Sequence, residues 1–354
     1  MSSAAREPQS APQAASPAAP NNTNPPQSTP FIEADDNIDD DDEAYVTDSG
    51  SSSFSASVTS SIRAYRQENG RTYHAYKDGR YVFPNDELEK DRLDFQHAIF
   101  LRTLGGKLFL APIAPGVQEV LDVGTGTGIW AIDFADEFPS ARVTGTDLSP
   151  IQPGFVPPNL TFYVEDMEAE WAGNVMYDFV HARMMNGSFV DGTRFFKNAF
   201  ENLKPGGYLE MQDMAFPLGC DDGTMGPGTA LHELCELLGE AMDKLNRPFR
   251  GVVEKYKKQM EEQGFVDIVE IVHKWPINQW PKDPELKELG KWNMENILQG
   301  LQAGVMAPFT RALGWSPAQV EVWLAGVRKD IINRRIHAYW PIYFVYGRKP
   351  EEKK

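Results

Sequence analysis

The apolar positions divide the chain into two unlike parts. Through residue 60 there is no apolar periodicity: NNTNPPQSTP and SSSFSASVTSS carry neither a helical stripe nor strand alternation. Their Pro, Ala, Ser, Asn and Asp content cannot bury enough surface to offset chain entropy, so residues 1–60 are expected to form a disordered tail. From residue 61 the pattern changes. Aromatic and charged residues alternate across RTYHAYKDGRYVFPND. Leu88, Phe95 and Ile99 then recur at helical spacing, with Leu93 and Phe100 widening the stripe. Asn85 reads as the helix cap and Gly105-Gly106 as its stop. We assign residues 61–116 to an N-terminal helical cap.

Beyond Val117, short apolar runs alternate with helical stripes. EVLDV, ARVTGTD, LTFYVED, YDFVHAR and YLEMQD read as five strands. Ile129, Ile132, Ala135 and Phe138 mark one intervening helix, ended by Pro139. Phe195, Phe196, Ala199, Phe200 and Leu203 mark another, and LKPGG is a turn into the fifth strand. Such alternation specifies a parallel sheet with helices on both faces. Downstream, 225–263 reads as largely helical, GFVDIVEIVHKWPI as a strand, 282–337 as several helices and HAYWPIYFVYGRK as a closing strand. The expected fold is α/β and Rossmann-like over 117–349. It has a seven-stranded, mostly parallel sheet and helical insertions at about 214–263 and 276–336.

Charge adds a constraint. The net charge is −17 over 354 residues, and residues 1–60 hold ten acids against one base, mostly in EADDNIDDDDE (33–43). Such a run is a solvated, self-repelling tail or a docking segment for a basic partner. The acidic balance disfavours tight, direct nucleic-acid binding. There is no run of eighteen apolar residues and no signal-peptide pattern, so no membrane span is expected and the protein is expected to be soluble and intracellular. Cys220 and Cys235 lie fifteen apart without a CxxC pair, so neither a metal site nor a disulfide is expected, and both read as buried free thiols.

The candidate chemistry lies in LDVGTGTGIWAIDFADEFPSARVTGTDLSP (121–150). Ligands of doubly wound sheets bind at the carboxyl ends of the strands, where glycines let backbone approach the ligand. A dinucleotide loop asks for GxGxxG with a helix N-terminus on a pyrophosphate. Here Gly124, Gly126 and Gly128 alternate, and Ile129 holds the place of the third dinucleotide glycine. Asp122 precedes the loop, and DxGxGxG resembles the signature of seven-strand methyltransferases that use S-adenosylmethionine (SAM). An acid suits the ammonium of the SAM methionine tail better than a pyrophosphate. Asp147 ends the second strand and can accept both ribose hydroxyls, with Leu148 beside it. The resemblance assigns Asp166 to the adenine amino group and Met167 to the adenine ring. Asp122, Gly124, Thr125, Gly126, Gly128, Asp147, Leu148, Asp166, Met167 and His181 form the expected cofactor set.

Three stretches, ENGRTYHAYKDGRYVFPNDELEKDRLDFQHAIFLRTLGGKLFLAPI, VLDVGTGTGIWAIDFADEFPSARVTGTDLSPIQPGFVPPN and RIHAYWPIYFVYGRKP, make residues 62–349 similar to the fungal LaeA-like methyltransferases. The resemblance implies a class I methyltransferase fold and SAM as cofactor. It implies one of two roles: a regulator of secondary metabolism and development acting with velvet-family proteins in the nucleus, or a biosynthetic enzyme. The acceptor is then a protein or a small molecule, and the location nuclear, cytoplasmic or both. An O- or N-methyltransferase of a biosynthetic cluster and a SAM-binding module without turnover are the alternatives.

The residues after the fourth strand face the methyl group in this architecture, which makes His181 a candidate base and Arg183 a candidate substrate anchor; both can instead orient the loop. Glu210, Asp213 and His97 lie near the same edge. Tyr73, Tyr76 and Tyr81 can form a lid. Trp275, Trp280, Trp292, Trp315 and Trp323 either line an apolar pocket or pack the core. No NPPY-like motif follows the fourth strand, and no paired-glutamate loop appears, which disfavours nucleobase amines and arginine as acceptors.

Overall fold

The computed structural model describes residues 28–35, 65–74, 76–77, 81–171 and 175–351. The described N-terminal cap opens with a hairpin, β1 (Arg66–Glu68) and β2 (Arg71–Tyr73), paired antiparallel. Asn69 and Gly70 form its turn with φ of 52° and 78°, as a two-residue type I′ connection requires. Helix α1 (Glu87–Thr103) follows. Its cap is Asp86, which accepts from Glu89 N at 3.1 Å, and not Asn85. Asn85 is engaged elsewhere: its Oδ1 accepts from Thr72 Oγ1 at 2.9 Å and its amide reaches Ser149.

The main domain runs β3 (Glu119–Val123), α2 (Ile129–Glu137), β4 (Arg142–Asp147), β5 (Leu160–Val164), β6 (Tyr177–Arg183), α3 (Gly192–Asn202) and β7 (Leu203–Met214). It continues through β8 (Gly219–Cys220), α4 (Ala230–Lys244), α5 (Tyr256–Gln263), β9 (Val266–Pro276), α6 (Pro284–Ala312), α7 (Pro317–Ile332) and β10 (Ala338–Arg348). Strand order is β5-β4-β3-β6-β7-β10, with β9 on the far side of β10. β3 to β7 are parallel, and β10 is antiparallel to β7 and β9. The sheet has eight strands, one more than expected, because the short β8 pairs with Ala338 and Tyr339 of β10.

Side-chain alternation divides the core. Leu121, Val123, Val180, Ala182, Leu209 and Met211 face α3 and α5. Val120, Val143 and Phe179 face α2. Ile271, Trp275, Ile342 and Phe344 pack on α1, α4, α6 and α7. Burial on both faces explains the near-continuous apolar runs of these strands. The buried stripe of α2 is Trp130, Ala131, Phe134 and Ala135. It is rotated from the expected Ile129/Ile132 face because the segment at Leu108 covers that side, its carbonyl accepting the Trp130 indole N–H at 3.0 Å. LKPGG belongs to β7, and residues 284–332 form two long helices in place of several.

Residues 28–35, which the apolar pattern left in the tail, pack on the domain. Ile32 is 5% exposed and sits with Trp280 and Tyr339. Thr29 N donates to Val272 O of the edge strand β9 at 2.7 Å, and Asp35 N to Trp280 O at 2.8 Å. Cys235 is buried as expected, but Cys220 is only half-buried, its sulfur accepting from Met225 N at 3.2 Å. Among the described residues no helix is long and apolar enough to cross a membrane.

Candidate cofactor and acceptor sites

The turn after β3 has three positive-φ glycines, at 68°, 58° and 83° for Gly124, Gly126 and Gly128. They serve different ends. A Cβ on Gly128 would lie 2.4 Å from the Phe162 ring, and one on Gly124 2.6 Å from Met185 Sδ. A Cβ on Gly126 would meet nothing closer than Leu93 Cδ1 at 3.7 Å, and Gly126 lines a cavity. Packing therefore demands the outer two, while the middle one keeps a cradle open for a ligand.

Gly124, Gly126, Asp147, Leu148 and Met167 of the expected cofactor set line this cavity with Arg183, the candidate substrate anchor, at the carboxyl ends of β3, β4 and β6. Asp147 Oδ2 accepts from Gly126 N at 2.9 Å and Oδ1 from Ser149 N at 2.8 Å. Each oxygen keeps a further lone pair, which fits a pair of ribose hydroxyls. Burial raises the Asp147 carboxyl to about 6, against the two backbone N–H groups.

Arg183 Nη1 donates to His97 Nδ1 at 3.0 Å, and His97 Nε2 lies 2.9 Å from Asp133 Oδ2. A guanidinium only donates, so Nδ1 is the acceptor and His97 links Arg183 to Asp133. Arg183 also lies over the Phe100 ring, 4.9 Å from its centroid. No carboxylate stands within ion-pair distance of Arg183 among the described residues. Burial lowers it to about 10, so it remains cationic at neutral pH. It is a ready counter-charge for an anionic group on a ligand.

Five residues of the expected cofactor set do not line the cavity, and Thr125 is among them, its hydroxyl turned to Asp122. Asp122 lies beneath the loop, accepting from Thr125 Oγ1 at 2.5 Å and facing His181 Nδ1 at 2.8 Å. Its carboxylate shapes the turn. His181 is 0% exposed and stacks on Trp130, with ring centroids 3.7 Å apart. Alternation along β6 points its ring at the α2 face, so it is a core residue and is not placed to act as a base. Burial lowers its pKa, against Asp122. Asp166 is tied to Lys77 Nζ at 2.6 Å and accepts from Glu168 N at 3.0 Å. Its neighbour Glu165 lines the cavity in its place. Gly128 is buried under Phe162.

A second cavity of about 180 Å³ lies between α1, α4 and α6. It shares Tyr81, Leu93 and Met184 with the first, so the two meet there. Asp213, wholly buried, borders it and holds the loop after β6: it accepts from Met185 N at 2.8 Å and Tyr256 Oη at 2.9 Å. Burial raises its carboxyl to about 6. Glu210 has no part in either cavity. It clamps the segment before β3, accepting from Leu110 N and Ala111 N, and burial raises it to about 7. Tyr81 is the one member of the tyrosine trio that borders the cavities; Tyr73 packs under Arg311. None of the five tryptophans named above lines either cavity, whereas Trp340 lines the second.

Asn85, Glu165 and Gln152 were not anticipated at the site. Gln152 Nε2 donates to Gly126 O at 2.7 Å and closes the turn. A polar residue just past a strand-end Asp-Leu-Ser-Pro is the only sequence signal for it.

A family model described as a methyltransferase domain matches residues 95–268. Methyltransferase pytC of Aspergillus terreus is 40% identical over 295 residues, covering 83% of this chain and 91% of that protein. The secondary metabolism regulator LAE1 of Cochliobolus heterostrophus is 39% identical, covering 80% and 95%. The protein-methionine methyltransferase laeA of Emericella nidulans is 35% identical, covering 81% and 77%. With these relatives over most of its length, the chain belongs to the LaeA-like family of fungal methyltransferases, whose cofactor is S-adenosylmethionine.

Proposed function

We propose that the chain methylates a small-molecule acceptor of secondary metabolism. The observation that carries this is the second cavity, which meets the cofactor cavity at Tyr81, Leu93 and Met184. SAM supplies an electrophilic methyl group on its sulfonium. In this reading Arg183 holds the carboxylate of the methionine end, Gly126 leaves room for it, Asp147 takes the ribose hydroxyls and Met167 lines the adenine. Asp166 reaches the adenine amino group only once Lys77 releases it.

Catalysis then rests on alignment, which contributes on the order of 7–11 kcal/mol in well-oriented reactions. A base is needed only where the acceptor must lose its proton early, and buried His181 is not placed to be one. The test is transfer of labelled methyl from SAM into fungal extract, fractionated into protein and organic-soluble pools. Label in the organic pool is expected; label confined to protein would sink this reading.

A regulatory role is the second reading, favoured by the relatives named as regulators. The acidic segment before residue 60 suits a partner-bound life, and the family resemblance implies a velvet-family protein in the nucleus as that partner. A small-molecule enzyme would work in the cytoplasm. Co-purification with velvet-type proteins from nuclei, absent from the cytoplasmic fraction, separates the two.

A further inference from the structure

The second cavity holds polar groups that no described residue satisfies. Gln96 is 5% exposed and lines the cavity, yet its side-chain amide makes no hydrogen bond to a described residue. The Tyr81 hydroxyl, where the two cavities meet, has none either. Burial raises Tyr81, so it stays a neutral phenol. Asn186 Oδ1, which borders the same cavity, is buried without a partner; buried polar groups are normally paired, so these groups call for a ligand that pairs them.

The charged groups there, by contrast, all have hydrogen-bond partners. Arg92 donates to both oxygens of Glu89, at 3.0 and 2.6 Å, and to Asn296 Oδ1 at 2.8 Å. Asp213 holds Met185 N, Met214 N and Tyr256 Oη. Each charged group there already has its hydrogen bonds within the protein, so an ionised ligand would have to displace one of these contacts to offset its own desolvation.

The opposite wall is the face of α6 that carries Gly300, Ala303 and Gly304. A Cβ on Gly300 would press on Arg92 at 2.9 Å, but one on Gly304 meets nothing within 4 Å. Gly304 therefore leaves space. A cavity of roughly 150 Å³ is known to hold benzene. The 180 Å³ here suits one ring or two fused rings.

We infer that the acceptor is a neutral one- or two-ring molecule with a single hydroxyl or carbonyl, its polar group on Gln96 and Tyr81 and its ring against Gly304. This rests on reading the second cavity as the acceptor site.

The probe is 2-naphthol, titrated by calorimetry into the full-length protein saturated with S-adenosylhomocysteine. 2-Naphthol should bind, and naphthalene-2-carboxylate and 2-naphthylmethylammonium should bind at least about tenfold more weakly. Gly304→Leu should lower 2-naphthol affinity by about tenfold or more, and Gly304→Ala by less, because the added carbons fill the space the ring needs. Gln96→Leu should weaken 2-naphthol several-fold, on the order of one hydrogen bond, and leave naphthalene unchanged. Failure of 2-naphthol to bind, equal affinity for a charged probe, or undiminished affinity in Gly304→Leu overturns the inference. S-adenosylhomocysteine affinity is measured on each variant and should not move. If that ligand fails to bind the wild type, the cofactor reading fails; if it binds and label still enters the organic pool, only the acceptor class is wrong.

Discussion

Asp147 fixes the glycine turn through Gly126 N and lines the cavity proposed above to take the ribose. Asp147→Asn keeps its size but places an N–H₂ where only acceptors fit, so S-adenosylhomocysteine affinity should fall by roughly tenfold to a hundredfold, or about 1.5–3 kcal/mol for charge-assisted bonds. Because burial raises Asp147 to about 6, wild-type affinity should itself decline as pH falls through 6, and the Asn variant should not show that decline. Calorimetry at pH 5 and 8 checks both. Glu210 is a stability residue. Its carboxyl ordinarily titrates near 4.5 and is raised to about 7 by burial, so the native state holds a proton that the unfolded chain has released. Its stabilisation is complete below about 4.5 and is lost as pH rises through 7. The melting-temperature gap between wild type and Glu210→Gln should therefore be wider at pH 5 than at pH 8. Its place at the end of β4 made Asp147 a candidate in the sequence, and it lines the cavity at that strand end. The sequence did not reveal that His181 lies under Trp130, since the alternation of β6 is masked where both faces are apolar.

At the scale of elements, the glycine turn separates folding from binding. Gly128→Ala and Gly126→Ala both force an L residue into positive φ, which costs roughly 1–2 kcal/mol. Gly128→Ala also drives a Cβ into Phe162, so it should lower the melting temperature far more. Gly126→Ala should fold with the smaller penalty and lose cofactor affinity, because its Cβ enters the cradle. Thermal melts with cofactor titrations distinguish them; equal loss of stability in both would contradict this division. The strands and α3 were legible from periodicity. The hairpin at Asn69-Gly70 carries the strongest local turn signal available, but three-residue strands give alternation too little length to register. The cap of α1 was misplaced by one residue because Asn85 and Asp86 both suit that position, and only tertiary contacts with Thr72 and Ser149 decide between them.

Across the whole molecule, the sheet ends in two unlike edges. β5 is one. The other, β9, presents backbone groups that would otherwise invite another strand; Ser28 and Thr29 bond it at Val272, and residues 32–35 pack beyond its end against Trp280 and Tyr339. Ile32 fills the Trp280–Tyr339 pocket, and Asp35 and Glu33 pair with Lys287 and Lys282. The two surface pairs contribute little; burying Ile32 contributes most, about 1.5–3 kcal/mol. Composition hid this segment, because one isoleucine among prolines and acids has no periodicity to detect. It follows that removing the acidic N-terminal region is not neutral in general. Deletion through residue 27 should leave the melting temperature unchanged, whereas deletion through residue 35 should lower it and uncover the edge of β9. Ile32→Asp in the full chain should reproduce most of that loss, since the lost group is apolar burial and not charge. Cofactor affinity should be unaffected in all three, because β9 lies across β10 and β7 from the strands that carry the glycine turn. Equal melting temperatures for the two deletions would show that the contacts of residues 28–35 add nothing to the fold.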